Sequence, residues 1–213
     1  MQTTVVVISG KQGSGKTTLL REIQRILSER KGFRVAPLNF ADPIYKMHDF
    51  CRGLVRNAGV PIPHDDTKDG TLLQMLGTEW GRNTVDRDVW VKVAQGTIRA
   101  EIERQSLVYP PEHLVFLVGD CRFENELWAF PDALRIRLQA PRLVRMARCS
   151  MWRNNENHLS EVGLDDTPPE HFDLIFETDL QTVDHCATIA IAELLRGGWL
   201  EDRVRRISEM GYF

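Results

Sequence analysis

The sequence lacks the marks of several broad classes of protein. Its four cysteines are far apart, with no C-x-x-C pair and no cysteine–histidine spacing of a metal site, so we expect reduced thiols in a cytoplasmic setting. No apolar run approaches the ~18 residues of a membrane-spanning helix, and no membrane partner is expected. The formal net charge of −3 gives none of the basic excess of nucleic-acid-binding domains, and no nucleic-acid partner is expected either.

The chain does contain what a single enzyme domain needs. Its 213 residues, 42% apolar and 27% charged, suffice for one buried core, and we predict one domain over residues 1–213. Helical patterns alternate with apolar segments, which predicts a three-layer α/β fold with a five-stranded parallel sheet flanked by helices. In such sheets, ligands bind beyond the carboxyl ends of the strands. The predicted strands are 4–9, 33–40, 113–118, 133–138 and 172–177.

The helices are predicted from apolar spacing and from their start signals. The second begins with Asp42 as N-cap and Pro43 in the first helical position, a favoured arrangement for both residues. In the fourth, Trp90, Val93 and Ala94 begin an apolar stripe that is expected to face the core. The predicted helices are 16–30, 43–55, 72–83, 88–104, 141–152 and 182–195.

The most specific local signal is Gly10-Lys11-Gln12-Gly13-Ser14-Gly15-Lys16-Thr17, a complete G-x-x-x-x-G-K-[ST] motif between a predicted strand and a predicted helix. Its glycines let the backbone curl so that successive N–H groups face a phosphate, and the helix adds its positive N-terminal end. Lys16 is expected to hold the β- and γ-phosphates of ATP, and the Thr17 hydroxyl to bind Mg²⁺. The predicted ATP-binding residues are Gly10, Gln12, Gly13, Ser14, Gly15, Lys16, Thr17 and Thr18.

Two side chains after the third predicted strand are candidates for the same site. Asp120 stands where a P-loop protein carries the acid that orders Mg²⁺ or its waters; the alternative is a helix N-cap ahead of Phe123. Arg122 is expected to face an acceptor phosphate, for which a planar guanidinium is suited. Its alternative is a surface ion pair with Glu124 or Glu126.

Arginines recur on and just after the predicted helix that follows the fourth strand, at Arg142, Arg145, Arg148 and Arg153. A spacing of three keeps the first three in one broad stripe. We interpret residues 141–169 as a lid, whose arginines neutralise charge on a transferring phosphoryl group when the lid closes. A solvated basic face is the alternative.

The segment 76–90 mixes aromatic rings with hydrogen-bonding side chains, which is unusual for a plain amphipathic helix. Such a mixture suits a nucleobase pocket. Core packing is the stronger interpretation for Trp90, because it lies on the apolar stripe, while both interpretations stay open for Trp80.

Taken together, these segments resemble the deoxynucleoside monophosphate kinases of tailed bacteriophages, relatives of adenylate kinase and dephospho-coenzyme A kinase. The resemblance runs from the first strand to about Asp179, and the segments Gly77–Arg82 and Asp120–Glu126 are its most specific parts. The family tends to place a basic residue shortly before the L-L-Q segment. In this chain Lys68 is the only basic residue of the corresponding stretch 67–71, which is the one departure from the pattern. The matching stretches are Gly10–Thr17, Phe40–Pro43, Leu73–Arg82, Asp88–Trp90, Asp120–Glu126, the Pro141, Arg145 and Arg148 series, and His158–Glu161.

This resemblance implies transfer of the γ-phosphoryl group of ATP to a (deoxy)nucleoside monophosphate, with Mg²⁺ as cofactor. It implies a helical acceptor-binding region over about 43–105, and a cytoplasmic location that is the host's if the gene is a phage one. Family members include dimers, which leaves a homodimer open. The catalytic candidates are Lys16, Arg122, Arg145, Arg148 and Asp42. The acceptor-binding candidates are Asp42, Thr78, Trp80, Arg82, Asp88, Trp90, Arg122 and Glu126, and those for the metal are Thr17 and Asp120.

Two other functions are compatible with the phosphate loop. A kinase that acts on dephospho-coenzyme A is one, although the segment Gly77–Arg82 argues against it. An NTP-driven switch or motor is the other, but the N-K-x-D motif of GTPases is absent, and Asp120 is followed by Cys121 rather than by glutamate.

Overall fold

The computed structural model describes residues 2–62, 68–108, 112–149, 152, 159–198, 202–203, 205 and 208–209. Its centre is a five-stranded sheet in the order β2-β3-β1-β4-β5, in which every pair is parallel. The predicted fold class is therefore confirmed. The strands are β1 (Thr3–Gly10), β2 (Phe33–Leu38), β3 (His113–Cys121), β4 (Leu134–Gln139) and β5 (Leu174–Glu177).

Helices cover both faces of this sheet. The helical elements are α1 (Lys16–Ser28), α2 (Asp42–Asn57), α3 (Gly70–Gln74), a π-helix (Met75–Val85), α4 (Val89–Ser106), α5 (Glu124–Leu127), α6 (Arg142–Arg148), α7 (Leu159–Val162), a short 3-10 turn (Pro169–His171) and α8 (Val183–Arg196). None of the helices in this described part of the chain is long and apolar enough to cross a bilayer.

The two faces of the sheet carry separate hydrophobic cores, because side chains alternate along each strand. On one face, Val6 and Ile8 of β1 pack with Leu19 and Ile23 of α1, and α8 completes the layer. On the other face, Val7 packs in the cluster that α4 covers. Central β1 is bordered by β3 and β4, which explains why its TVVVIS run is apolar at nearly every position.

Several element boundaries differ from the sequence-based prediction. Helix α2 begins at Asp42 itself, with Ala41 as its N-cap and Pro43 in the first turn. Val93 is 39% exposed, and Val91 takes a buried place on α4 instead. The predicted helix 72–83 is a short α-helix followed by a π-helix, a geometry that often occurs at functional sites.

The predicted arginine-bearing helix is shorter than expected. It spans Arg142–Arg148, and Cys149 after it is extended. Arg153 and His158 lie outside the described residues, and so does part of the predicted lid 141–169. The division into an acceptor-binding region and a lid stays a prediction.

Candidate active site

The phosphate loop lies at the carboxyl end of the central strand, between β1 and α1. Gly10, Gly13 and Gly15 have φ values of 145°, 77° and 97°, a region that L-residues with a side chain rarely adopt. Gly13 is also required by space, because a Cβ there would lie 2.4 Å from the carbonyl oxygen of Arg145. The curl that the motif predicts is therefore present, and α6 packs directly against it.

Lys16 is folded back over this loop. Its Nζ donates to the carbonyl oxygens of Gly10 at 2.6 Å and Lys11 at 2.9 Å. Burial, followed by the charge of Arg122, lowers the pKa of Lys16 from 10.5 to about 7, although Glu161 and Asp120 act in the opposite sense. Because burial disfavours the charged form of Lys16, a phosphate anion that arrives beside it would stabilise that form strongly.

Two observations test whether the loop fits a magnesium-bound polyphosphate. The Ser14 hydroxyl is buried and finds no hydrogen-bond partner among the described residues, while Thr17 and Thr18 are exposed on the first turn of α1. No cluster of three metal-ligating side chains exists in the described ranges. Mg²⁺ on nucleotides usually takes one or two protein ligands beside phosphate oxygens and waters, so Thr17 and a nearby carboxylate fit it.

Asp120 is the nearby carboxylate, and its hydrogen bonds were not foreseen. Its two oxygens accept the backbone N–H groups of Phe40 and Ala41, both at 2.9 Å, so it ties β3 to the turn before α2. Asp120 is not the N-cap of α5. That position belongs to Phe123, whose backbone N–H donates to Glu126. Burial raises the pKa of Asp120 to about 6, against the effect of the two backbone bonds.

Arg122 reaches from the end of β3 to the loop, and its role toward an acceptor phosphate stays a prediction. Its Nη1 lies 3.3 Å from the carbonyl oxygen of Gly10, the oxygen that also accepts from Lys16. The same nitrogen donates to Glu161 at 2.8 Å. The alternative of a side-chain ion pair with Glu124 or Glu126 is therefore wrong, since the partner is Glu161.

Glu161 is a residue of this site to which the sequence assigned no role. It is 9% exposed, and its second oxygen accepts the backbone N–H of Gln12 at 2.8 Å. The sequence feature that could have pointed to it is the segment His158–Glu161 of the family resemblance, in which Glu161 is the only acid. What the sequence could not supply was the distance, because 149 positions separate Glu161 from Gln12.

The predicted lid arginines within the described residues, Arg142, Arg145 and Arg148, have different environments. Arg145 is 8% exposed and donates to the carbonyl oxygens of Ala140 at 3.2 Å and Gln12 at 3.1 Å. It therefore links α6 to the phosphate loop. Arg148 is exposed and donates to the hydroxyl and carbonyl of Thr178. Arg142 is exposed, in agreement with the solvated alternative for that side chain.

Two cavities adjoin the loop. One of about 350 Å³ lies where the loop meets Arg122, Arg145 and Glu161. Another of about 280 Å³ lies beside the start of α1, where Arg148, Thr178 and Gln181 line it together with apolar side chains of β4 and α8. The sequence did not single out Thr178 or Gln181, because both are ordinary loop residues until the fold brings β5 beside the phosphate loop.

The structure brings together several residues that were predicted to bind the acceptor. Arg82 of the π-helix donates to Glu126 at 2.6 Å and lies over the Phe123 ring at 4.5 Å. Asp88 accepts from Asn125 at 2.8 Å. The ion pair thus joins the π-helix to α5, and the hydrogen bond joins the N-terminus of α4 to α5.

Of the two tryptophans for which core packing or a nucleobase pocket was considered, Trp90 is buried and Trp80 is exposed. Trp90 is 3% exposed, and its indole N–H donates to the carbonyl of Gly77 at 2.8 Å, so it is a core residue. Gly81 faces the same ring, and a Cβ there would lie 2.3 Å from it. Trp80 is 47% exposed, with its ring 6.4 Å from that of Trp90, and Thr78 is half-buried.

The Asp42 side chain is directed to its own turn. Its two oxygens accept the backbone N–H and the side-chain amide of Asn39. It is close enough to Asp120 for its negative charge to add to the rise of that residue's pKa. Asp42, Asp120 and Lys16 therefore follow one another across the carboxyl edge of the sheet.

The chain was compared with known proteins at the level of sequence and of structure. No protein-family model matches it, and neither does any curated protein. Solved structures do match. TT1252 from Thermus thermophilus has a TM-score of 0.54 at 18% identity, covering 91% of this chain and 99% of that one. The APS kinase CysC of Mycobacterium tuberculosis, in complex with AMPPNP and APS, has a TM-score of 0.52 at 16% identity, covering 91% and 98%.

Proposed function

We propose that this chain, which has the α/β fold of P-loop kinases, is an ATP-dependent kinase that acts on nucleoside monophosphates, with deoxynucleotides as the favoured acceptors. It would transfer the γ-phosphoryl group of ATP to the acceptor's phosphate and release ADP and a nucleoside diphosphate. The observation that carries the proposal is the meeting of two cations, Lys16 of the loop and Arg122 of β3, at the single carbonyl oxygen of Gly10. One phosphate cradle and one further anion position thus lie side by side.

The placement of ATP follows from the loop. Its phosphates would accept from the loop N–H groups and from Lys16, with Ser14 as a further hydroxyl in reach of the cradle. The cavity beside Arg148 and Thr178 would take the base, since it combines apolar walls with a few polar groups. The APS kinase of similar fold was solved with AMPPNP, which supports an adenine nucleotide.

The acceptor would bind on the opposite side of Lys16. Arg122 offers a guanidinium to its phosphate, and the π-helix with Trp80 and Arg82 borders the space toward α5. The specific segments Gly77–Arg82 and Asp120–Glu126 are the ones that resemble phage nucleotide kinases, and the structure joins them through Arg82 and Glu126. This juxtaposition favours a nucleoside monophosphate over other small acceptors.

Transfer requires positioning and charge neutralisation rather than covalent catalysis. An oxygen of the acceptor phosphate forms the new bond to the γ-phosphorus while the bond to the β–γ bridging oxygen breaks, and ADP leaves with that oxygen. Lys16 and Arg122 would stabilise the charge that spreads over the transferring group. Mg²⁺, held by Thr17 and ordered by Asp120, would supply further neutralisation of the phosphates.

The test is ADP formation by the purified chain with ATP, Mg²⁺ and each of the four common deoxynucleoside monophosphates and their ribose counterparts. The proposal expects ADP mainly when an acceptor is present, and the best acceptor identifies the base. Equal ADP formation with and without every acceptor would refute a nucleotide kinase and favour an NTP-driven switch. Light scattering on the same sample would decide whether the chain is a homodimer.

Variants assign the roles. Lys16→Ala is expected to remove at least ~3 kcal/mol of transition-state stabilisation, the loss typical of one preorganised charged stabiliser. The ratio of kcat/KM between the wild type and the variant measures this loss. The exposed Lys31→Ala serves as the matched control. Arg122→Ala is expected to raise the acceptor KM more than the ATP KM, and an unchanged acceptor KM would contradict its assignment.

A further inference from the structure

A short acidic segment, α7 and the turn that follows it, lies directly on the phosphate loop. Glu161 of α7 bridges two donors, since one oxygen accepts from the backbone N–H of Gln12 and the other from Nη1 of Arg122, both at 2.8 Å. Its carboxylate is almost fully enclosed, with 6% of the side chain exposed. It also lies close enough to Lys16 for its charge to raise that lysine's pKa.

The segment is held to the site at two more points. Asp165 accepts from Nζ of Lys11 at 2.7 Å, and both side chains are a little over one-third exposed. Gly163 packs so closely on the end of β3 that a Cβ would lie 2.6 Å from the carbonyl oxygen of Arg122. The carboxylate of Glu161 is therefore presented to the loop by tight packing as well as by its own bonds.

The chemistry of this arrangement is that of a bound anion. A carboxylate that accepts from a loop N–H and from a guanidinium forms the charge-assisted bonds that a phosphate oxygen would form in its place. Arg122 and the loop are the two groups that the proposed reaction assigns to the acceptor and to ATP. A phosphate that entered between them would meet a second negative charge at hydrogen-bonding distance, and like charges at that distance exclude each other.

We propose that Glu161 is a phosphate-mimicking latch, which fills the anion position between Gln12 and Arg122 in the free chain and leaves it when a substrate phosphate enters. The identity of the displaced phosphate as ATP's or the acceptor's rests on the proposed function. The latch lowers the affinity of the free chain for polyphosphate, because an entering phosphate must displace the Glu161 carboxylate from Gln12 and Arg122.

The test uses inorganic tripolyphosphate as the probe and calorimetric binding as the readout. Glu161→Gln keeps the shape and one acceptor oxygen but removes the charge, and it is expected to bind tripolyphosphate at least tenfold more tightly than the wild-type chain. Asp166→Asn is the matched control, because it removes one exposed charge from the same segment, and its affinity is expected to stay within twofold of the wild type.

The outcomes separate a latch from a structural acid. Equal or weaker binding by Glu161→Gln, with an unchanged melting temperature, overturns the proposal, and so does an equal gain in Asp166→Asn. If Glu161→Gln fails to fold, Asp165→Asn decides, because it breaks only the outer contact with Lys11: two- to fivefold tighter binding supports the latch, and unchanged binding overturns it.

This experiment requires no phosphoryl transfer. A chain in which no nucleoside monophosphate stimulates ADP formation would refute the proposed function, while the tripolyphosphate comparison would still decide whether Glu161 competes with phosphate. A kinase with an unaltered Glu161→Gln affinity would refute the latch alone.

Discussion

Proton uptake on ligand binding is the sharpest test of the environment of Lys16. In the free chain, burial and Arg122 hold the pKa of this lysine at about 7, so at pH 8 only about one-tenth of the molecules carry a charged Lys16. A polyphosphate at hydrogen-bonding distance favours the charged form and returns the pKa toward its ordinary value. Binding at pH 8 is therefore expected to take up about 0.9 proton per site, falling to about 0.5 at pH 7.

The ligand itself contributes little at this pH, because the second ionisation of a phosphate monoester has a pKa of about 6. Above pH 7, the affinity should decline by up to about tenfold per pH unit, since the charged lysine must be formed from a neutral one. Calorimetry of ADP binding in two buffers of different ionisation enthalpy measures the uptake directly.

Lys16→Met, which keeps much of the length and the apolar stem, provides the control and should abolish the uptake. Two results would refute the reasoning. One is an uptake below about 0.2 proton at pH 8 in the wild-type chain, and the other is the same uptake in Lys16→Met. Either would mean that the lysine is already charged in the free site, or that another group takes the proton.

Three further predictions concern stability, measured by urea denaturation. Gly13→Ala should destabilise the chain by more than the ~1–2 kcal/mol of a left-handed alanine, because its Cβ also meets the backbone of α6, whereas Gly15→Ala has open space and should show the strain alone; equal losses would count against the close approach. Arg82→Met leaves the buried carboxylate of Glu126 without its ion-pair partner and should cost about 3 kcal/mol of stability. The double variant with Glu126→Gln should recover part of this loss, and no recovery would contradict the pairing. The pKa of Asp120 is about 6 in the folded chain against an ordinary 3.8, so between pH 4 and 6 the unfolded chain binds fewer protons than the folded one. The free energy of unfolding should therefore fall with rising pH, by up to ~3 kcal/mol in total. Asp120→Asn should flatten this slope, and parallel curves for the variant and the wild type would disprove the role of Asp120.

The strands and the phosphate loop were predictable because their signals are local. Each strand contains apolar residues that are close together in the sequence, and the β-branched run TVVVIS became the central strand that needs apolar side chains on both faces. The loop is a contiguous motif, so its glycines and Lys16 could be assigned before any fold was known. Trp90 was predicted for the core because its spacing with Ala94 already placed it on a buried stripe.

The predictions that were wrong or incomplete concern partners that are distant in sequence or choices made by packing. Val93 was assigned to the buried stripe, but the way α4 lies on the sheet buries Val91 instead. Asp120 was assigned to a metal or to a local cap; the structure rules out the cap and shows that Asp120 holds the turn at Phe40 and Ala41. Such bonds cross 79 or 80 positions and carry no sequence spacing.

By itself the sequence determined that this chain has a parallel α/β sheet and a tightly curled glycine–lysine loop after its first strand, because hydrophobic periodicity and a contiguous motif are properties of neighbouring residues. Only the tertiary structure decided which side chains surround that loop. Arg122 and Glu161 come from opposite sides of β4 in the sequence and meet at the loop because β3 and β4 both border β1. Electrostatic neighbours depend on distance in space, and that distance exists only once the sheet has formed.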